Sequence, residues 1–135
     1  MKAVAAAALC CLALAACGFE VQAPDDFLMT RTGQGPKVTF LVNDAGTIRC
    51  DGGRQRPITS ALLISARALV TSLQGDAQKH LNLPQASNSV YRYTVRMQLG
   101  TISFPDTAAA RHHELAGVEQ FALQALAGPC RSLAR

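Results

Sequence analysis

The chain has 135 residues, a formal net charge of +4 and 16% charged residues, with no tryptophan and 5% aromatics. That length suits one ordinary domain able to bury a real core. The small basic excess would suit contact with anionic lipid or wall polymers, and equally a plainly solvated surface.

The first segment reads as a leader. Met1-Lys2 supplies one positive charge, and Ala3 to Ala16 is apolar without a break, the layout of the n- and h-regions of a signal peptide. A membrane-crossing helix needs roughly 18 or more apolar residues, and Gly18, Glu20 and Gln22 end the run before that. Export is therefore expected, by one of two cuts. Ala13-Leu14-Ala15 offers the small residues that a general signal peptidase takes. Leu14-Ala15-Ala16-Cys17 resembles the lipobox of bacterial lipoproteins: Leu, two small residues, then Cys. That resemblance implies that the Cys17 thiol carries a diacylglyceryl group and that cleavage precedes it. Cys10 and Cys11 fit less well, because Leu9 and Cys10 precede them and the apolar run would be too short. Two acyl chains make a stable anchor where one is marginal. The lipidated chain would then sit on the extracytoplasmic side of the cell membrane without crossing it.

The expected division is a cleaved signal peptide at 1–16, a lipidated cysteine and tether at 17–36, and a folded domain at 37–135. Of the five cysteines two fall in the leader. If Cys17 carries lipid, Cys50 and Cys130 remain as an even pair in an oxidising compartment, where a disulfide is the natural expectation. A Cys–His metal site is the weaker alternative, since neither cysteine has a second one at short spacing.

In chain order, Gly18 to Asp26 is polar and aperiodic, as a tether would be. Phe27-Leu28-Met29 reads as a short strand leading into the fold, and Gly33-Gln34-Gly35-Pro36 as a turn. Val38, Phe40 and Val42 alternate with Lys37, Thr39 and Leu41, a strand whose polar face is broken by Leu41. Asn43-Asp44-Ala45-Gly46 is turn chemistry, and Thr47 to Cys50 returns as the partner strand. After Pro57, Leu62, Ala66, Leu69, Leu73 and Ala77 recur at helical steps from a Thr59 or Ser60 cap, with a bend possible at Gly75 and continuation to His80. Val90 to Gln98 alternates cleanly, with Tyr91, Tyr93, Val95 and Met97 facing one way and Arg92, Thr94, Arg96 and Gln98 the other. Leu99-Gly100 turns the chain into a strand at Thr101 to Phe104, and a second helix follows from about Ala109 to Ala127, ended by Gly128-Pro129. The expected fold is α+β: a single small domain in the order β-β-α-β-β-α, a four-stranded antiparallel sheet with both helices packed on one face.

Few residues offer chemistry. His112-His113-Glu114 is the densest polar cluster, but adjacent histidines on a helix point about 100° apart, and the two-His-at-four spacing of a zinc protease is absent. There is no nucleophile elbow, phosphate loop or Ser-His-Asp arrangement, so no catalytic residue, metal ligand or cofactor is assigned. Arg92, Thr94 and Arg96, with Arg49 on the first hairpin, form a basic stripe able to meet phosphate or carboxylate groups, or simply a solvated sheet face. The aromatic interleaving of an RNA-reading sheet is missing, and no nucleic-acid partner is expected.

The hairpin-helix-hairpin-helix order resembles small bacterial protease inhibitors of the emfourin type. The segments that carry this are Arg31-Thr32-Gly33-Gln34-Gly35, Tyr93-Thr94-Val95 and Ile102-Ser103-Phe104. Those inhibitors have a Gly-aromatic-Gly segment where this chain has Gly33-Gln34-Gly35-Pro36, so no inhibitory residue is carried over. The mature part also resembles small single-domain lipoproteins of high-GC bacteria. The expected function is a membrane-anchored, non-catalytic binding module that meets an envelope protein or other ligand. The alternatives are an envelope protease inhibitor with a protease partner, and a small hydrolase built on His112–Glu114.

Overall fold

The middle of the sheet is strand β1 (Asp25–Gly33), in a stretch that sequence reading gives to the tether and a short lead-in. The computed structural model describes residues 25–134; the leader and Cys17 lie outside the described residues. After β1 come β2 (Val38–Asn43), β3 (Thr47–Cys50), β4 (Gln55–Pro57) and helix α1 (Ser60–Gln78). Strands β5 (Tyr91–Met97) and β6 (Gly100–Pro105), a 3-10 turn at Asp106–Ala108, helix α2 (His113–Ala127) and a last 3-10 turn at Arg131–Leu133 complete the order. The described residues form one six-stranded sheet in the order β4-β3-β2-β1-β5-β6, with antiparallel pairing between its neighbours. The α+β class stands, but the sheet has six strands rather than four.

The reason is that β1 pairs with both expected hairpins. Thr30 sits between Thr39 of β2 and Thr94 of β5, so β1 fuses the hairpins into one sheet. Its Phe27 and Met29 face the helices, and Leu28, on the other side, is also buried. A strand covered on both faces loses the alternation that marks a half-buried one.

On the helix side, Phe27, Met29, Val38, Phe40, Val42, Ile48, Val95, Ile102 and Phe104 make a continuous apolar layer. Onto it α1 lays Leu62, Ala66, Leu69, Leu73 and Ala77, the stripe expected from its periodicity. Helix α2 lays down Leu115, Val118, Phe121, Ala122, Ala125 and Leu126. Phe27 meets Phe121 edge to face at 5.3 Å, a geometry favoured by the ring quadrupoles.

Local chemistry sets the helix ends. The Thr59 hydroxyl accepts the Leu62 N–H at 3.2 Å and caps α1. The helix passes through Gly75 unbroken and stops at Gln78, because His80 takes φ 52°. The second helix begins four residues later than Ala109, because the chain that follows the 3-10 turn stays in a further turn, with the Arg111 N–H donating to the Ala108 carbonyl at 3.0 Å. Helix α1 starts beside the β2–β3 turn, where Arg67 Nε meets Asp44 Oδ1 at 2.8 Å. It ends beside the β5–β6 turn, where Gly100 at φ 150° passes so near the Ala77 carbonyl that a Cβ would collide with it. Helix α2 runs the opposite way, from the end of β6 to the Cys50–Cys130 disulfide, which ties its C-terminal side to β3 with 5.6 Å between Cα atoms. The expected pairing is thus present. Arg56 Nη1 also donates to the Pro129 carbonyl at 2.9 Å at the same junction.

Both sheet edges are blunted. Strand β4 is three residues long and contains Pro57. Along β6, Leu83 N–H donates to the Ser103 carbonyl at 2.9 Å and Ser103 N–H donates to the Leu81 carbonyl at 2.8 Å. The connection after α1 therefore covers the middle of that edge, and Pro105 closes its end.

Candidate functional site: the open sheet face

Two helices on one side leave the other face of the sheet to solvent, and strand alternation decides what it displays. One row across the sheet reads Gln55, Arg49, Leu41, Leu28, Arg96 and Thr101 from β4 to β6. The next reads Thr39, Thr30, Thr94 and Ser103. Within it the Thr94 and Ser103 hydroxyls lie 3.2 Å apart, a cross-strand pair of the kind that stabilises sheets. Arg92, Thr94 and Arg96 do share this face, as their spacing requires.

Their surroundings differ. Arg92 Nη2 donates to Asn82 Oδ1 at 2.6 Å and Nη1 to Gln85 Oε1 at 3.3 Å. Its guanidinium holds the α1–β5 connection against the sheet. Arg96 lies mid-sheet and exposed, beside Leu28 in register. Arg49 lies on the other side of the Leu28–Leu41 pair, exposed and on β3.

Between Arg49 and Arg96 the face is concave. A hollow of about 430 Å³ has Leu28, Leu41, Thr30 and Thr39 as its lining, with Lys37, Arg49 and Arg96 around it. Asp51 and Gly52 also border it. The Asp51 carboxylate is engaged, since its Oδ1 accepts the Thr39 N–H at 2.6 Å. A second hollow of about 160 Å³ adjoins the first, sharing Leu41 and Arg49 and extending past Asn43 and Gln55 to Asp25. Leu28 is only 6% exposed although it is outside the helix-side core. Sequence reading picks out Arg49 and the odd Leu41. It misses Lys37, Thr30, Thr39 and Leu28, because only the β1 pairing puts them beside Arg96.

Both histidines of the His112-His113-Glu114 cluster lie against the Glu114 carboxylate. Glu114 Oε2 lies 3.2 Å from His113 Nδ1, and its Oε1 3.5 Å from His112 Nδ1. Asp76, His113 and Glu114 line a groove of about 500 Å³ between the helices, together with Ser65 and Ser72. A serine nucleophile needs a base within hydrogen-bond reach of its hydroxyl. Ser65 instead donates to the Ala61 carbonyl at 3.0 Å, and Ser72 to that of Leu69 at 3.1 Å. The His113 side chain is fully exposed. Among the described residues, no three His, Cys, Asp or Glu side chains are grouped to hold a metal.

Three other carboxylates depart from their ordinary pKa. Burial acts to raise the Asp106 pKa, but hydrogen bonds from Ser89 Oγ and the N–H groups of Val90, Tyr91 and Thr107 outweigh it and hold the group below its ordinary value. Asp106 thereby fixes the start of β5. Burial raises Glu119, with Asp106 adding to it. Burial likewise raises Asp26, helped by Asp44 and opposed by Arg67. Asp26 Oδ2 and Glu119 Oε1 are each buried without a hydrogen-bond partner.

No family model, curated protein or solved structure matches this chain.

Proposed function

We propose that this chain is an exported, lipid-anchored and non-catalytic binding module of the cell envelope, held to the membrane through Cys17 and working through its open sheet face. The observation that carries the binding role is the hollow between Arg49 and Arg96, where cations, hydroxyls and a partly covered apolar floor converge. The disulfide gives that face a rigid support suited to an oxidising compartment. The leader and Leu14-Ala15-Ala16-Cys17 support the location. A protease-inhibitor role would rest on the exposed Gly33–Pro36 turn, where Gln34 stands in place of an aromatic residue. A hydrolase role would need a serine aimed at a histidine, and both groove serines bond to their own helix instead.

The test is metabolic labelling with palmitate, followed by membrane fractionation, of wild type and Cys17→Ser. Wild type takes up label and sediments with membranes; Cys17→Ser does neither and keeps its fold. A Cys17→Ser protein that remains labelled and membrane-bound ends the reading.

A further inference from the structure

The larger hollow on the open face has a composition that suits a particular ligand chemistry. Its lining sums to three cations, Lys37, Arg49 and Arg96, against one carboxylate, Asp51. That carboxylate spends an oxygen on the Thr39 backbone. The Thr30 and Thr39 side chains lie on the same face, where their hydroxyls add donors. Leu28 and Leu41 are register partners and supply an apolar floor between the two arginines. Guanidinium groups meet carboxylate and phosphate oxygens in a planar fork, and an apolar floor rewards a hydrocarbon surface laid on it. At about 430 Å³ the hollow falls in the size range of small-molecule sites.

We propose that this hollow binds a small amphiphilic oxyanion: a carboxylate or phosphate head held by Lys37, Arg49 and Arg96, and a short apolar body lying over Leu28 and Leu41. The proposal rests on the reading of the open face as the binding surface and names its ligand class. It commits to a ligand free in solution rather than to the headgroups of a bilayer, because of where the charges lie. The chain joins the sheet at Asp25, beside Asp26, and Asp25 borders the smaller hollow. Lys37 lies just beyond the other end of β2, whose Val38 pairs with Arg31. Asp25 and Asp26 thus lie at the end where the chain joins, Lys37 at the far end, and Arg49 and Arg96 in the Leu28 row between them.

The experiment is a titration of the exported Cys17→Ser protein with octyl phosphate, followed by amide NMR. Saturable shifts are expected at Leu28, Thr30, Thr39 and Leu41. Octanol and inorganic phosphate, each carrying half of the chemistry, should bind at least about tenfold more weakly. Arg49→Gln and Lys37→Gln, both at exposed positions, should each weaken octyl phosphate by about tenfold, with thermal midpoints unchanged. Unsaturable shifts scattered over the helices, or full affinity in Arg49→Gln, would overturn the proposal. So would retention on phosphatidylglycerol vesicles that Arg49→Gln abolishes, since it would make the bilayer the ligand. The two readings fail separately: palmitate labelling reports on Cys17 alone, and this titration on the sheet face alone.

Discussion

Breaking the Cys50–Cys130 link tests how this small domain is held together. The bridge spans 80 residues of sequence. In the chain-entropy model a loop of that length removes enough freedom from the unfolded chain to stabilise the fold by about 4.5 kcal/mol. The 110 described residues would unfold with an entropy of roughly 0.23 kcal/mol/K. Loss of the link should therefore lower the thermal midpoint by on the order of 20 °C. The assay is differential scanning calorimetry on Cys17→Ser protein, comparing the oxidised form, the reduced form and Cys50→Ala/Cys130→Ala. Reduction and substitution should agree, because both act on the unfolded chain, and the native far-UV spectrum should survive in the cold. Cys130 is fully buried, so the double alanine variant should fall slightly further through lost packing. A midpoint drop below about 5 °C in both forms would refute the loop-closure reasoning. It would mean that the unfolded chain is already restricted or that the bridge is strained.

Asp106→Ala removes the acceptor for four donors and should cost about 2–3 kcal/mol in urea melts at pH 7. Because Asp106 is held below its ordinary value near 3.8, its contribution is present above that pH and disappears as pH falls through the lower folded value, so the variant's deficit should shrink near pH 3. Glu119→Gln should do the opposite. Burial, with Asp106 second, lifts Glu119 above its ordinary 4.5, so wild type loses stability as pH rises from there through the folded value. The glutamine variant should melt higher at pH 7 and match wild type at pH 4. Gly100→Ala forces a Cβ onto the Ala77 carbonyl at φ 150° and should lose about 2 kcal/mol or more in chemical denaturation. Gly75→Ala, with open space at its Cβ and a helical backbone, should gain up to about 1 kcal/mol in the same measurement.

What could be read from the sequence follows from which signals are local. Strand β5 shows its two faces plainly, because one is packed and one solvated: Tyr93, Val95 and Met97 are buried where Arg92, Thr94 and Arg96 are not. Helix α1 shows its stripe for the same reason. Strand β1 does not, since Phe27-Leu28-Met29 is covered on both sides and follows Asp25-Asp26, which reads as tether. Strand β4 offers no signal at all: Gln55-Arg56-Pro57 has no apolar periodicity and only one neighbour. The same gap hides the candidate site. Arg49 and Arg96 are 47 positions apart, and only the insertion of β1 between β2 and β5 sets them on either side of Leu41 and Leu28. Arg92 looks like part of the stripe by spacing, but its partners Asn82 and Gln85 lie in a connection with no pattern to betray them.

The blunted sheet edges bear on crowding. Lipid anchoring would confine many copies to a plane, where neighbours meet far more often than in bulk solution. A sheet with a free edge would then be a template for zipping chain to chain. Here Pro57 shortens one border, and the Leu81–Leu83 strap with Pro105 occupies the other. Dense copies could stand side by side without coalescing into fibres, leaving the concave face, rather than the rim, as the surface open to contact.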